Sequence, residues 1–283
     1  RMTLATLHWI SWQAALKIAV PAAVFGLAAR PAKDVRLVRL AAFARELAIV
    51  LVLYALWQRV GTISVVKLNG AVSAGHSIWH WERLLHLPNE RIVQRAFLPH
   101  PWIVQTSNAF YATVHVPAMM VFLPWLWYFH RDRYSSVRNV VALTTLFCLA
   151  IQLWPVAPPR LVPSLHIFDT PALYHQTVYP SFGANGPAQL SAMPSVHVAW
   201  AVIIGIAIVV VAKSRWRWLA LAHPVLTMLV VVVTGNHYWL DGIVAAVLAG
   251  VALGIDRAGR AALARLRQAP APVQPLELTR EPV

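Results

Sequence analysis

Apolar residues in this chain come in blocks of roughly 17–22, the length at which an α-helix crosses the hydrocarbon core of a bilayer. The blocks fall at 8–29, 41–60, 109–129, 139–155, 194–212, 217–235 and 238–256. A chain that is 59% hydrophobic and only 12% charged is too apolar for a soluble domain. The fold class read from these blocks is all-α: a polytopic membrane helix bundle with about six to seven transmembrane helices. Lys17 and Pro21 interrupt the first block, which an interfacial position would also suit. Pro117 and Pro124 should kink the third.

The net charge of +14 does not point to nucleic acid, because the basic residues sit in short segments between the apolar blocks. Arg30, Lys33, Arg36, Arg39 and Arg45 precede the second block, and Arg131, Arg133 and Arg138 separate the third from the fourth. Lys213, Arg215 and Arg217 separate the fifth from the sixth, and Arg257, Arg260, Arg265 and Arg267 follow the last. With seven spans all four segments share one side, which is cytoplasmic by the positive-inside rule. Trp9, Trp57, Trp154 and Trp239 then lie near outer ends, and Trp125, Trp127, Trp216 and Trp218 near inner ones, as aromatic belts. No cleavable signal is expected, since no convincing small-residue site follows the first block.

Three divisions follow. Residues 1–104 hold N-terminal membrane helices and an amphipathic interfacial segment at about 68–87, residues 105–256 the catalytic transmembrane core, and residues 257–283 a basic and then Pro-rich disordered tail. His76 and His80 stand four apart on the amphipathic segment with Glu82 nearby, but no third metal ligand is evident, so an interfacial polar face is expected there. The long loop 156–193 carries six prolines between Pro158 and Pro187 and is expected to cover a site. Cys148 is the only cysteine, which excludes an internal disulfide, and it reads as a small buried side chain.

Three polar clusters stand at the edges of apolar blocks, where ionisable groups are costly and therefore functional candidates. They are Pro158-Pro159-Arg160, Ser191-Ala192-Met193-Pro194-Ser195-Val196-His197 and Gly235-Asn236-His237-Tyr238-Trp239-Leu240-Asp241. His237 and Asp241 share a helical face, so the carboxylate can fix the imidazole tautomer and leave the other nitrogen as nucleophile or base; a His–Asp cap pair would look the same. Ser195 can cap a helix or donate to an anion, with His197 in the first turn that follows as a general acid. Arg160 can hold phosphate through a forked pair of hydrogen bonds, or anchor an interface. Seven-span parity puts the three on the extracytoplasmic membrane edge. Together they suit phosphoryl transfer through a phosphohistidine, without metal or other cofactor.

The order Arg, then Pro-Ser-x-His, then His-x-x-x-Asp resembles the type 2 phosphatidic acid phosphatase superfamily, which includes lipid phosphate phosphatases and the soluble vanadium haloperoxidases. The wording Trp154-Pro155-Val156-Ala157-Pro158-Pro159-Arg160, Ala192-Met193-Pro194-Ser195-Val196-His197 and His237-Tyr238-Trp239-Leu240-Asp241 looks most like the inositolphosphotransferase branch, which includes inositol-phosphorylceramide synthases. The resemblance implies His237 as nucleophile, Asp241 as its orienter, His197 as the acid for the leaving group, and Ser195 and Arg160 as phosphate ligands. The chain departs from the phosphatase pattern at three places: Leu153 replaces a Lys, Leu161 a Pro, and Val230-Val231 a Ser-Arg pair. Two phosphate-binding cations are therefore missing. Asn108, Tyr111 and His115, at i, i+3 and i+7 on one helical face, are candidates to line the substrate in their place; a stripe satisfied against neighbouring helices is the alternative.

The expected function is a metal-independent lipid phosphatase or phosphotransferase in the plasma membrane, acting on a phospholipid or lipid phosphate. A head-group transferase with an alcohol acceptor such as inositol is one alternative, and a non-catalytic lipid transporter or binder another. No repeat of the kind transporters carry is visible.

Overall fold

The computed structural model describes residues 10–63, 68–176 and 190–268. Eleven α-helices make up the described chain, and no strand occurs among these residues. They are α1 (Trp12–Ala28), α2 (Val35–Ile63), α3 (Leu68–Leu84), α4 (Glu90–Phe97), α5 (Pro101–Thr113), α6 (His115–Phe129), α7 (Arg131–Ile151), α8 (Thr170–Leu173), α9 (Val196–Val211), α10 (Ala222–Val233) and α11 (Trp239–Gln268). Among the described residues four segments are long and apolar enough to cross a membrane: Val35–Arg59, Arg131–Ile151, Arg215–Val233 and Trp239–Arg267. The consecutive helices α5 and α6 make a fifth if taken as one bent span, and α1 and α9 are shorter apolar helices. The chain is an all-α polytopic bundle of the kind the apolar blocks imply.

The bend in the third apolar block is sharper and earlier than its prolines suggested. Helix α5 ends at Thr113 and α6 begins at His115 after a turn of 50°. The physical cause is Pro117, whose ring conflicts with the carbonyl four residues back, at Thr113. Pro124, deeper in α6, leaves that helix continuous. The break delivers His115 at the first turn of α6.

Helix α9 sits at the centre and packs on α6, α7, α10 and α11. Its small residues allow this: Ala199 and Ala201 are buried, Ala199 with Ala245 of α11 and Cys148 of α7. A larger cluster joins Met119, Phe122 and Leu126 of α6, Val140 and Val141 of α7, Ile203 and Ile204 of α9, and Ala249 and Ala252 of α11. The α1–α2 hairpin docks on this bundle through α2 against α7, where Glu46 accepts from Tyr134 Oη at 2.9 Å and from Arg138 Nη1 at 2.6 Å. Asp256 of α11 ties to α7 in the same way, accepting from Asn139 Nδ2 at 2.7 Å.

A second cluster closes the opposite end. Ala71 and Ile78 of α3 pack on Val156, Ala157, Val162, Leu165, Ile167, Leu190, Ala192 and Tyr238. Here the structure corrects the reading of the amphipathic segment. Glu82, expected on a polar interfacial face, is fully buried, and its Oε1 accepts the Leu240 N–H at the start of α11 at 2.7 Å. Gly75 permits this docking, since a Cβ there would lie 2.7 Å from Tyr238 Oη and 2.8 Å from the Ala157 carbonyl. The basic segment 257–267 continues α11 as helix; the Pro-rich stretch expected to be disordered lies outside the described residues.

Candidate active site

The three polar clusters meet at the end of the bundle capped by α3. The α10–α11 connection is a tight turn whose backbone is bound to α10: Asn236 N–H donates to Val231 O at 3.0 Å and His237 N–H to the same oxygen at 3.2 Å. Gly235 sits at φ +69°, where a Cβ would press on Arg160 Cβ, Ile167 Cγ2 and the Phe168 carbonyl, each at 3.1 Å. The Gly235 carbonyl accepts Arg160 N–H at 3.1 Å, so the first and third clusters are joined through backbone.

His237 is 4% exposed. Its Nδ1 lies 2.6 Å from the Ala192 carbonyl and 3.2 Å from Asp241 Oδ2. A carbonyl can only accept, so Nδ1 carries the hydrogen and Nε2 keeps its lone pair. Sequence spacing anticipated the Asp241 partner but not Ala192. The carboxylate's shorter bond is to the Tyr238 N–H, at 2.8 Å, which makes Asp241 first a cap of its own helix and second a partner of His237. The Ala192 carbonyl is held in turn by a bridge between Val156 and Ser191: Val156 N–H donates to Leu190 O at 2.7 Å, and Ala192 N–H to Val156 O at 3.2 Å.

His197 projects from the first turn of α9, its ring 5.8 Å from that of His237. Ser195 caps α9 by accepting Val198 N–H at 3.4 Å, and its own N–H donates to the Asp241 carbonyl at 3.2 Å, so the second and third clusters are also pinned together. In the cap the hydroxyl accepts, which leaves its hydrogen to be donated. The Arg160 side chain is buried, with Nε donating to Asn236 Oδ1 at 3.0 Å and Nη1 to Asp169 Oδ2 at 2.7 Å. Its guanidinium is thereby held in one plane beside the turn that carries His237.

The polar stripe of α5 and α6 divides. Asn108 is absorbed by the loop, accepting from Thr170 Oγ1 at 2.9 Å and donating to Gln176 Oε1 at 3.0 Å. Tyr111 lies against both candidate catalytic rings, 4.4 Å from His197 and 6.3 Å from His237. His115 stands edge-on to His197 at 4.6 Å. The positions where cations are missing are apolar in different ways: Leu153 is exposed, while Val230 and Val231 are buried in α10. His76 meets Ser164, and among the described residues no group of three His, Cys, Asp or Glu side chains gathers as a metal site would.

Sequence reasoning missed the supporting layer. Gln94 of α4 donates to Phe168 O at 2.9 Å and to Val233 O at 3.0 Å, and accepts Phe168 N–H at 2.8 Å, locking the Arg160 loop to α10. Gln152 donates to Pro194 O at 3.0 Å and holds the loop before α9. Glu82 and Glu90 are both buried on either side of Arg83, whose Nη2 is 3.7 Å from Glu82 Oε2 and 3.3 Å from Glu90 Oε2. Burial first, and then the neighbouring Glu90 carboxyl, push the Glu82 carboxyl up to about 9. The one available signal was the i, i+4 placement of Glu90 and Gln94.

In comparisons with known proteins, the profile of the PAP2 superfamily matches residues 76–255. The match covers well over half of the chain and starts in α3. No curated protein and no solved structure matches.

Proposed function

The chain belongs to the PAP2 superfamily, and from that premise we propose that it is an integral-membrane phosphatase or phosphotransferase of lipid phosphates that works through a phosphohistidine on His237. The observation that carries this reading is the bond from His237 Nδ1 to a carbonyl, which leaves Nε2 as the nucleophile. Nε2 attacks phosphorus while the bond to the leaving oxygen breaks, and His197 gives that oxygen its proton. Water then attacks the phosphohistidine, giving a proton to His197 as the P–N bond breaks. Arg160 and the Ser195 hydroxyl meet the charge on the oxygens that do not react. No step calls for a metal.

Transfer to an alcohol such as inositol, as in the inositolphosphotransferase branch, is the second reading. Leu153 and Val231 favour it, because they leave Arg160 as the motif cation, already paired with Asp169. A phosphodiester carries one negative charge where a monoester carries up to two, and needs fewer cations. The candidate site lies at the end of the bundle opposite the basic segments of α7 and α11, which suits an extracytoplasmic active site in the plasma membrane.

The test is rapid-quench labelling with phosphorus-labelled lipid phosphates and phospholipids, with and without inositol, followed by product mass analysis. Acid-labile label on His237 is expected, absent in His237→Ala. Label on His197, or label surviving in that variant, would reverse the assigned roles.

A further inference from the structure

His115 is 4% exposed; its ring lies by the Tyr111 backbone one turn back, and neither ring nitrogen has a side-chain hydrogen-bond partner among the described residues. A buried polar group left unpaired is costly, and one aimed at reactive groups calls for a ligand. Its surroundings fix where that ligand sits. The ring is edge-on to His197 at 4.6 Å and to Phe110 at 5.5 Å, with His223 at 6.3 Å. His197 therefore has His237 on one side, at 5.8 Å, and His115 on another. In an in-line displacement the nucleophile and the departing oxygen lie on opposite sides of phosphorus. With His237 as nucleophile and His197 at the departing oxygen, the rest of the alcohol extends past His197, toward His115.

We infer that His115 is a specificity-determining residue that hydrogen-bonds the alcohol, not the phosphate, and so selects alcohols carrying a second hydroxyl close to the reacting oxygen. This rests on the phosphohistidine reading and names the substrate class for the same site. Leaving and attacking alcohols take the same place, because the second half-reaction reverses the first. When an alcohol attacks, its oxygen bonds to phosphorus, the P–Nε2 bond of His237 breaks, and the alcohol proton passes to His197. An alcohol with one hydroxyl leaves His115 unpaired; a diol or polyol satisfies it. Sites that hydrogen-bond a substrate hydroxyl reject analogues without it far more strongly than apolar pockets reject a size change.

The probe is acceptor competition in the reconstituted full chain. One labelled lipid phosphate donor is supplied with equal glycerol and 1-propanol, and the phosphoryl-glycerol and phosphoryl-propanol products are counted by mass. The wild type should favour glycerol by about tenfold or more, the worth of one buried hydrogen bond. In His115→Phe, which keeps the ring packed on His197, the preference should collapse toward unity, and His115→Gln should restore part of it. Equal loss of both products in His115→Phe would place the residue at the phosphate or in a structural role, and would overturn the inference. So would a wild type with no preference, or one that forms neither adduct and is not inhibited by glycerol. Rapid-quench label on His237 in the same samples separates the two levels: label without discrimination sinks the role of His115 alone, and absence of label sinks the phosphohistidine.

Discussion

Glu82→Gln should flatten the pH dependence of stability. Glu82 Oε2 finds no hydrogen-bond donor among the described residues, and its burial beside the Glu90 carboxylate favours the protonated acid of Glu82. Its folded pKa, about 9, stands above its ordinary 4.5. Between those values the native state binds more protons than the unfolded state, so stability is fullest below 4.5 and falls as pH rises toward 9. The limiting slope for one group is about 1.4 kcal/mol per pH unit. Solvent screening and the nearby Arg83 guanidinium reduce the accumulated loss at neutral pH to roughly 1–2 kcal/mol. A glutamine at position 82 can still accept the Leu240 N–H and can donate to Glu90 without titrating. Relative to wild type, the variant should therefore gain stability from pH 5 to pH 8, by about 2–4 °C in Tm for each kcal/mol. Cys148 supplies the assay: it is buried and the only cysteine, so a thiol-reactive dye reports unfolding, compared between variants at each pH. Parallel curves for Gln and wild type would mean Glu82 is ionised against Arg83 in the native state. Glu82→Ala, which loses the cap on α11, should be less stable at every pH by about 1 kcal/mol.

Four further outcomes follow from the geometry. Asp241→Asn should keep the fold and cost about 10–10² in kcat, well short of the ~10⁴ seen where the carboxylate alone sets the tautomer, because Ala192 O still holds Nδ1–H; steady-state kinetics decide it. Arg160→Lys cannot bond Asn236 and Asp169 together and should lower kcat/KM by about 10²–10³, with thermal stability as the control for misfolding. Cysteines placed at Ser164 and Ser214 in a Cys148→Ala background should label from opposite sides of intact cells, Ser164 from outside; labelling from one side would overturn the orientation. Activity should survive EDTA, and a loss restored by one divalent ion would count against the phosphohistidine mechanism.

The parts of this site legible in the sequence are those whose partners are close in sequence. His237 and Asp241 are four apart, and a helix brings them together whatever surrounds it. Ser195 reads as a cap for the same reason. The Ala192 carbonyl was invisible because a backbone oxygen carries no residue signature, and a long loop brings it 45 positions to its partner. Glu82 was misread for a related reason. Its helix looks amphipathic, and periodicity tells which residues share a face but not whether that face meets water or the start of a helix 158 residues away. The 50° bend was half legible: Pro117 announced a kink, but its placement at Thr113 and Val114 depends on which carbonyl the ring displaces.

Position 231 shows how the arrangement separates chemistry from recognition. Its carbonyl accepts the N–H groups of Asn236 and His237, and so shapes the turn that presents the proposed nucleophile. That duty falls on backbone and is indifferent to the side chain. The side chain, where the phosphatase pattern has an arginine, is a fully buried valine packed in α10. Removing the cation therefore leaves the geometry of His237 intact while lowering the positive charge offered to a substrate. The same holds at the Ala192 carbonyl, fixed by a backbone bridge to Val156. A site whose nucleophile is set by backbone carbonyls, and whose charge is set by side chains around it, can change the anion it accepts without moving the atom that attacks. In this chain the motif cations are fewer, while His115, buried and without a side-chain hydrogen-bond partner among the described residues, stands beside His197. With His115 as the group that reads the alcohol, as we propose, that exchange moves discrimination from the phosphate to the alcohol.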